Sequence, residues 1–364
     1  MPDPVAAFGN LGRKAVGRLL ALRKPFVRGA RRRARARQQA AIAHEAQDVE
    51  REIGRLVAGH HPIIAGPWLG EVGYEVLYWL PFLRWVRDRY RVAPDRLTVV
   101  SRGGVEPWYD GIAARYVDMF DLLTPQELAA RNESRQASDE GGGRKQSRRG
   151  ELDDWLLARA QADERHPAVV LHPSLLFRLF RGVWQGNLPL DFLFTHTDFA
   201  LAAPPPRPAF AGVPREYVAV KFYSGTALPE DADTLDLLRS LVRRVATRTP
   251  VVVLETGLTV DDHHDYVFGG LPGVLSAREW MTPRTNLGVQ SALIAHAKYF
   301  FGTCGGLAWL APFMGVPAVA VYADDALLAP HLMIARQAAR RVGAADLAPL
   351  DLRALRHIDA GHLG

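Results

Sequence analysis

The sequence predicts an α/β protein of two Rossmann-like domains whose parallel sheets face each other across a cleft, preceded by a basic helical arm. Short apolar runs alternate with segments of helical periodicity, a pattern that is typical of parallel βαβ units. A proline-rich segment, residues 203–208, divides this alternation into two sets and has the composition of a stiff linker. A single large doubly wound domain is the alternative architecture.

The basic arm comprises residues 1–44. They contain eleven Lys and Arg residues and one acid, a net charge of +10 against +6 for the whole chain, so the rest of the chain carries −4. Apolar residues of the arm recur at steps of three and four, which places them on one face of a helix. These residues are Phe8, Leu11, Ala15, Leu19, Leu22 and Phe26.

A polybasic run, residues 28–37, follows this face. A basic amphipathic helix with such a run suits an anionic membrane surface, so residues 8–37 are candidates for membrane contact. A solvated tail is the alternative. We expect no nucleic-acid partner, because residues 27–44 contain no Phe, Tyr or Trp on which a base could stack.

Bulk properties exclude several classes of protein. The chain has 364 residues, 48% hydrophobic and 23% charged, as in soluble globular proteins of about two domains. No apolar run approaches the roughly 18 residues that a transmembrane helix needs, and no secretory signal is expected. The single cysteine, Cys304, excludes an internal disulfide or a cysteine zinc cluster, and we expect a cytoplasmic protein.

The first domain is expected to span residues 45–205. Its strands should be short apolar runs that end in glycine or polar residues, and its helices longer periodic segments. In chain order we expect a helix over 45–57, a strand in 61–66, a helix in 73–90, a strand in 96–104, a helix over 111–123, a mobile polar loop over 131–150, a helix near 151–163 and a strand over 168–172.

The second domain is expected to span residues 206–330, followed by C-terminal helices over 331–364. Acids at the start and bases at the end of its first helix suit the helix dipole, and residues 231–233 are expected to cap that helix. The expected elements are a strand in 216–225, a helix over 229–248, a strand in 250–257, a helix over 286–297, a strand over 298–302, a helix over 305–315 and a strand over 317–325.

The junction of the last expected strand–helix pair is a glycine loop that could bind an anion. Thr303 and Cys304 lie between Gly302 and the pair Gly305 and Gly306. The N–H groups at a helix N-terminus attract phosphate, and glycine lets the backbone approach it closely. A tight turn without a ligand is the alternative.

This passage resembles the donor-binding segment of GT-B glycosyltransferases, particularly the ADP-heptose heptosyltransferases. Gly302 and Gly306 match the family's loop glycines, and residues 315–317 reproduce its Gly-Val-Pro. Cys304-Gly305-Gly306 stands where the family has Asp-Ser-Gly, and Trp309 stands where it has histidine. The resemblance implies a GT-B fold with a nucleotide-diphospho-sugar bound at residues 302–306, but the family's charged donor contacts are not reproduced.

Four other residues are donor-binding candidates. Lys221 ends a predicted strand, where a cation could neutralise a diphosphate, although a surface lysine is the common alternative. The resemblance places Glu255 near the base and ribose. Gln290 and Ser291, in the helix before the glycine loop, are further candidates for donor binding.

Three residues are candidates for the catalytic base. In heptosyltransferases an acid lies six residues before a proline, and counting back from Pro81 gives Glu75. Glu71 lies one helical turn earlier, in a glycine-flanked stretch. His172 ends a predicted strand. Acids that merely stabilise a helix start are the alternative for the two glutamates.

We therefore expect a metal-independent, hexosyl- or heptosyl-type glycosyltransferase that needs no cofactor. It would transfer a sugar from a nucleotide-diphospho-sugar to a glycan or lipid-linked acceptor, in the cytoplasm and in contact with the membrane through its arm. No DxD-type metal motif stands out in the sequence, because Asp231-Ala232-Asp233 lies at a helix start and is better explained as a cap. The alternatives are a nucleotide-sugar epimerase of the same fold and a non-catalytic GT-B-like binding protein.

Overall fold

The computed structural model describes residue 33 and residues 36–137, 146–162, 166–258 and 263–359. Most of the predicted arm and the centre of the predicted polar loop lie outside these ranges. Two entirely parallel sheets, of four and six strands, confirm the predicted α/β class with two facing Rossmann-like halves. Among the described helices, none is long and apolar enough to cross a membrane.

The N-terminal half, which precedes the proline-rich segment, contains the smaller sheet, with strand order β3-β2-β1-β4. β1 is central, since Ile63 pairs with Leu97 on one side and Val169 on the other. The strands are β1 (Ile63–Ala65), β2 (Leu97–Ser101), β3 (Arg115–Asp118) and β4 (Val169–Leu171). Residues of β1 and β2 are buried throughout, as strands covered on both faces require.

Helices cover both faces of this sheet. They are α1 (residues 36–57), α2 (Val72–Tyr74, a π-helical turn Glu75–Trp79, and Leu80–Tyr90), α3 (Pro125–Ala137), α4 (Glu151–Ala162), α5 (Pro173–Trp184) and α6 (Leu190–Thr195). The buried side of α2 stacks Trp79 on Trp68, with ring centroids 5.6 Å apart. The helix expected within 73–90 is therefore present, with a π turn in its first part.

The C-terminal half, which follows the proline-rich segment, contains the larger sheet, with strand order β10-β9-β8-β5-β6-β7. This is the Rossmann order once the strands are renumbered within the half. The strands are β5 (Val218–Lys221), β6 (Val251–Val253), β7 (Val274–Ser276), β8 (Tyr299–Thr303), β9 (Ala318–Tyr322) and β10 (Leu347–Asp351). The helices are α7 (Ala232–Ala246), α8 (Asn286–Ala295), α9 (Gly306–Phe313), α10 (Ala329–Val342) and α11 (Leu352–Asp359).

One predicted helix is a strand. Residues 111–123 were expected to be helical, but Arg115–Asp118 form β3, and Met119–Asp121 a single 3₁₀ turn. Pairing with β2 outweighs the helical spacing of the apolar residues, since Tyr116 and Val117 suit a strand. The buried Asp118 then ends the strand by accepting a hydrogen bond from Phe120 N.

Two further expectations need correction. The polar loop was expected from residue 131, but α3 continues to Ala137 because Arg135 is buried and donates to Asn132 Oδ1 one turn earlier. The C-terminal segment was expected to be helical, yet Leu347–Asp351 add a strand beside β9. The cap expected at 231–233 is confirmed, since Thr234 N donates to Asp231 Oδ1.

The two halves pack directly against each other, and glycines set the distance. Gly288 N, in α8, donates to Gly103 O at 2.9 Å. A β-carbon on Gly288 would lie 2.4 Å from Gly104 O. At a neighbouring point of this interface, Arg284 in the C-terminal half donates to both carboxylate oxygens of Asp121, at 2.8 and 2.9 Å.

The Gly288 contact predicts that Gly288→Ala destabilises the protein. Alanine favours a helix, but its methyl group would clash with the backbone of the other half, so we expect a loss of about 1–3 kcal/mol in the free energy of unfolding. Urea denaturation would measure it. Gly269→Ala is the control, because a β-carbon there meets no atom within 4 Å; equal effects of the two substitutions would contradict the prediction.

Candidate functional site

A cavity of about 440 Å³ lies between the two halves, where the carboxyl ends of their central strands meet. Ligands of open α/β sheets bind at this position, where the strand order reverses. The N-terminal half contributes Gly70, Glu71, Val72, Gly73, Tyr74, Arg102, Phe120 and Phe177. The C-terminal half contributes a polar wall that includes Lys221, Thr256, His263, Asp265, Asn286, Gln290 and residues 303–306, and an apolar rim that includes Leu307, Trp309 and Leu327.

Lys221 ends β5 and faces this cavity as part of a fixed charge pair. Its Nζ lies 2.6 Å from Asp265 Oδ1 and donates to Leu254 O at 3.0 Å. Asp265 in turn accepts a hydrogen bond from Thr256 N at 2.7 Å. Lysine and carboxylate are therefore held rigidly at the edge of the sheet, and a ligand phosphate would meet a lysine that is already oriented.

The glycine loop forms the neighbouring part of the wall. Thr303 Oγ1 accepts from Tyr223 N at 2.9 Å and donates to Tyr223 O at 3.1 Å, which fastens the loop to the end of β5. α9 begins directly afterwards at Gly306, and the first N–H groups of a helix have no partner within it. Burial raises the pKa of the Cys304 thiol to about 11, which disfavours the reactive thiolate form near pH 7.

The N-termini of α2 and α9 meet at this wall. A β-carbon on Gly306 would lie 2.8 Å from Val72 Cγ1, and one on Gly73 would lie 2.6 Å from the Trp309 ring. Both helices therefore direct the positive ends of their dipoles at the same region. An anion is the ligand that this arrangement favours.

Glu71 and Arg102 occupy the N-terminal side of the cavity. Glu71 is exposed and immediately precedes α2. Arg102, which follows β2, is buried and donates to Trp68 O at 3.1 Å and Gly70 O at 2.9 Å. It therefore fixes the backbone that leads to Glu71.

Glu75 lies beneath the cavity instead of on its surface. Its side chain is fully buried, and Oε1 accepts hydrogen bonds from Ser101 Oγ at 2.6 Å and from the Tyr109 hydroxyl. Oε2 has no hydrogen-bond partner. Burial raises the pKa of Glu75, and the nearby Arg102 charge opposes that rise only in part.

His172 is buried away from the cavity. Its Nδ1 accepts from Ser174 N at 3.1 Å and so caps α5. Nε2 lies 3.1 Å from Asp153 Oδ1, at an angle bent from the ideal for a hydrogen bond. Both ring nitrogens therefore have protein neighbours.

The remaining donor candidates divide into two groups. Thr303, Cys304, Gly305, Gly306 and Gln290 line the cavity, as Lys221 does. The Gln290 side chain is buried with its Oε1 unpartnered, an acceptor that a ligand could use. Buried elsewhere are Glu255, Gly302 within β8, and Ser291, whose Oγ accepts from Trp108 Nε1 at 3.0 Å.

Three cavity residues escaped the sequence-based prediction. Arg102 directly follows a strand, so its position was a usable signal. Asp265 lies in the polar stretch 261–266, and nothing in the local sequence indicates its pairing with Lys221. His331 comes from α10, where its ring nitrogens contact the hydroxyl groups of Tyr74, at 3.0 Å, and Tyr78.

No protein-family profile and no curated protein matches the sequence. Among solved structures, it is similar to the iron-containing dodecameric glycosyltransferase TibC from enterotoxigenic E. coli H10407, with 13% identity, 72% of this chain covered and a TM-score of 0.42. The chain spans 58% of TibC's length.

Two heptosyltransferases are also similar. E. coli WaaC with ADP has 13% identity and a TM-score of 0.40, with 82% of this chain and 99% of that chain covered. E. coli ADP-heptose LPS heptosyltransferase II has 13% identity and a TM-score of 0.37, with 75% and 88% covered. The resemblance noted in the sequence is matched by these neighbours, but likenesses this low define neither a family nor a substrate.

The burial of Glu75 predicts a pH-dependent effect of Glu75→Gln. A carboxyl group whose pKa is raised by folding stabilises the folded state while it is protonated, and this contribution is lost as the pH rises through the raised pKa. The glutamine side chain of the variant does not titrate, so the variant does not lose this stabilisation as the pH rises. We therefore expect the free energy of unfolding of the variant to increase, relative to the native protein, from pH 4.5 to pH 8.

Urea denaturation at several pH values would measure this difference. The exposed Glu106 offers the control substitution Glu106→Gln in the same half. A difference between Glu75→Gln and the native protein that stays constant with pH would contradict the assigned burial effect.

Proposed function

We propose that this protein is a glycosyltransferase that transfers a sugar from a nucleotide-diphospho-sugar to a glycan or lipid-linked acceptor. The observation that carries the proposal is the cavity between two Rossmann-like halves, with an exposed carboxylate on one wall and an anion-binding arrangement on the other. Its volume of about 440 Å³ lies within the ~300–1,000 Å³ of small-molecule sites.

The C-terminal wall would hold the donor. Cleavage of the sugar–phosphate bond leaves a nucleoside diphosphate, whose growing negative charge must be stabilised. The N-terminus of α9 at Gly306 supplies partial positive charge to this wall, and Lys221 would bind the diphosphate beside its ion pair with Asp265. Gln290 Oε1 would accept a hydrogen bond from a donor hydroxyl or amino group.

The N-terminal wall would supply the base. Transfer requires a group that removes the proton of the acceptor hydroxyl as it attacks the sugar. Glu71 lines the cavity and is exposed, so an acceptor can reach it. Glu75 is fully buried beneath the wall, and His172 has protein atoms at both ring nitrogens. We therefore assign the base to Glu71.

Several features of the proposed reaction stay predictions. Independence from metal ions is one, and turnover that is insensitive to EDTA would support it. Contact of residues 8–37 with an anionic membrane is another, and it lies largely outside the described residues.

The donor assignment predicts that a nucleoside diphosphate raises the melting temperature. Binding to the native state stabilises it by RT ln(1 + [L]/Kd), about 2.7 kcal/mol at a concentration of 100 Kd. We expect at least one of ADP, UDP, GDP and CDP to raise Tm, and Lys221→Met to remove that rise. A thermal-shift titration measures both effects, each against the variant's own ligand-free Tm.

Lys298→Met is the matched control, because Lys298 forms an exposed ion pair with Glu216 on the surface. It should keep the full ligand-induced shift. A screen in which no diphosphate raises Tm, or in which Lys221→Met responds like the native protein, would remove the donor assignment.

The base assignment predicts that Glu71→Gln lowers kcat by about 10²–10⁴-fold, the usual contribution of general base catalysis. The KM for the donor should change much less than kcat, because the base acts on the acceptor hydroxyl in the transition state. Release of the nucleoside diphosphate found in the binding screen would be followed kinetically. Native kcat in Glu71→Gln would exclude Glu71 as the base.

A further inference from the structure

We propose that Gln146, Asp153 and His172 form a positioning network that fixes loop 66–71, the segment between β1 and α2 that carries Glu71 into the cavity. The catalytic consequence rests on the proposed glycosyltransferase function. The fixing of the loop does not, and it can be measured without any substrate.

The loop is unusual because its backbone is buried. Residues 66–70 are all buried, so each peptide group in this stretch needs a hydrogen-bond partner inside the protein. The sheet supplies two partners, since Gly66 N donates to Leu171 O at 3.1 Å and Trp68 N donates to Val100 O at 2.9 Å. Two other groups of the loop, the Pro67 carbonyl and the Leu69 amide, have no strand beside them.

Gln146 supplies the missing partners. Its Oε1 accepts from Leu69 N at 2.9 Å, and its Nε2 donates to Pro67 O at 2.9 Å. One fully buried side chain thus binds the loop at two points, from nearly eighty residues away in the sequence. A primary amide suits this task because it offers an acceptor and two donors on one rigid plane.

Asp153 orients that amide. The second proton of Gln146 Nε2 is donated to Asp153 Oδ1 at 2.9 Å, while Asp153 Oδ2 accepts from Gly150 N at 2.8 Å. The two acceptors, Pro67 O and Asp153 Oδ1, therefore both face Nε2. The Gln146 amide cannot turn over without placing its oxygen against a carboxylate. Asp153 is itself fully buried, and a buried carboxylate needs compensating partners.

His172 completes the network on the far side of Asp153. Because Ser174 N donates to Nδ1, the neutral ring carries its proton on Nε2, which is the nitrogen 3.1 Å from Asp153 Oδ1. Proximity to His172 lowers the pKa of Asp153 against the effect of burial. His172 thus acts through Asp153 and Gln146, and the role we assign to it is positioning.

The loop is held from two sides. Gln146 binds it at Pro67 and Leu69, and Arg102 binds it at Trp68 O and Gly70 O. Glu71 is the next residue and stands where α2 begins. The backbone that carries Glu71 therefore has few free torsions.

The test is hydrogen exchange of peptides covering residues 66–71 in the full-length protein, with Gln146→Leu and Asp153→Asn compared with the native chain. Loss of the buried acceptor should raise exchange at the Leu69 amide about tenfold or more, with β2 and β5 unchanged. Asp153→Asn, a smaller perturbation, should raise it less, because its amide can satisfy Gly150 or Gln146 but not both.

Gln161→Leu is the matched control. Gln161 also bridges two backbone groups, Ala168 N and His166 O, but at the opposite end of β4. It should leave exchange of the loop unchanged. Unchanged exchange at Leu69 in Gln146→Leu would overturn the proposal whatever the protein's activity.

His172 is tested by two conservative substitutions. Gln places an amide nitrogen near the position of Nε2, whereas Asn places one near Nδ1. His172→Gln should therefore keep native exchange in the loop and His172→Asn should raise it. If both variants behave alike, His172 does not act through Asp153.

Activity provides the second readout. With a donor identified, Gln146→Leu should lower kcat about tenfold or more while the KM for the donor stays unchanged, as displacement of a base requires. Faster exchange in the loop with native kcat would overturn the catalytic part. If no nucleotide binds, the proposed function fails, and the exchange data alone still decide whether the network holds the loop.

Discussion

The contact between the N-termini of α2 and α9 is the constraint on which the arrangement of the site depends. Gly73 and Gly306 bring the two helix ends together at a distance that any β-carbon would prevent. Two positive dipole ends that face each other repel, and an anion between or beside them relieves that repulsion. Packing of the two halves and preference for an anionic ligand are thus consequences of the same two glycines.

The sequence indicated the C-terminal half well because its signals are local. The glycine loop at 302–306 lies between an apolar strand and a helix, and the structure places it there. The helix predicted around Arg115 was wrong for the opposite reason. Its apolar spacing suits a helix, but pairing with β2 is a long-range interaction that no local pattern records. The domain boundaries stay predictions.

The two glutamates show a second limit of sequence patterns. Glu71 lies one helical turn before Glu75, so the two would share a helix face if the helix began early enough. α2 begins only at Val72, and a π turn starts at Glu75, so Glu71 lies outside the helix and Glu75 turns inward. Neither the helix start nor the π turn has a marker in the sequence. Likewise, the Lys221–Asp265 pair joins residues far apart in the chain. The fixed position of the Lys221 side chain is therefore apparent only from the structure.

The buried Glu75 lies close enough to Arg102 for the guanidinium charge to affect its pKa. Arg102 is buried and uses both terminal nitrogens on the carbonyl groups of Trp68 and Gly70, which are neutral acceptors. Burial raises the pKa of Glu75, and the positive charge of Arg102 acts against that rise. Ser101 and Tyr109 orient that carboxyl group from below. Arg102 therefore has two effects: it holds the backbone before Glu71, and its charge favours the ionised form of the buried Glu75.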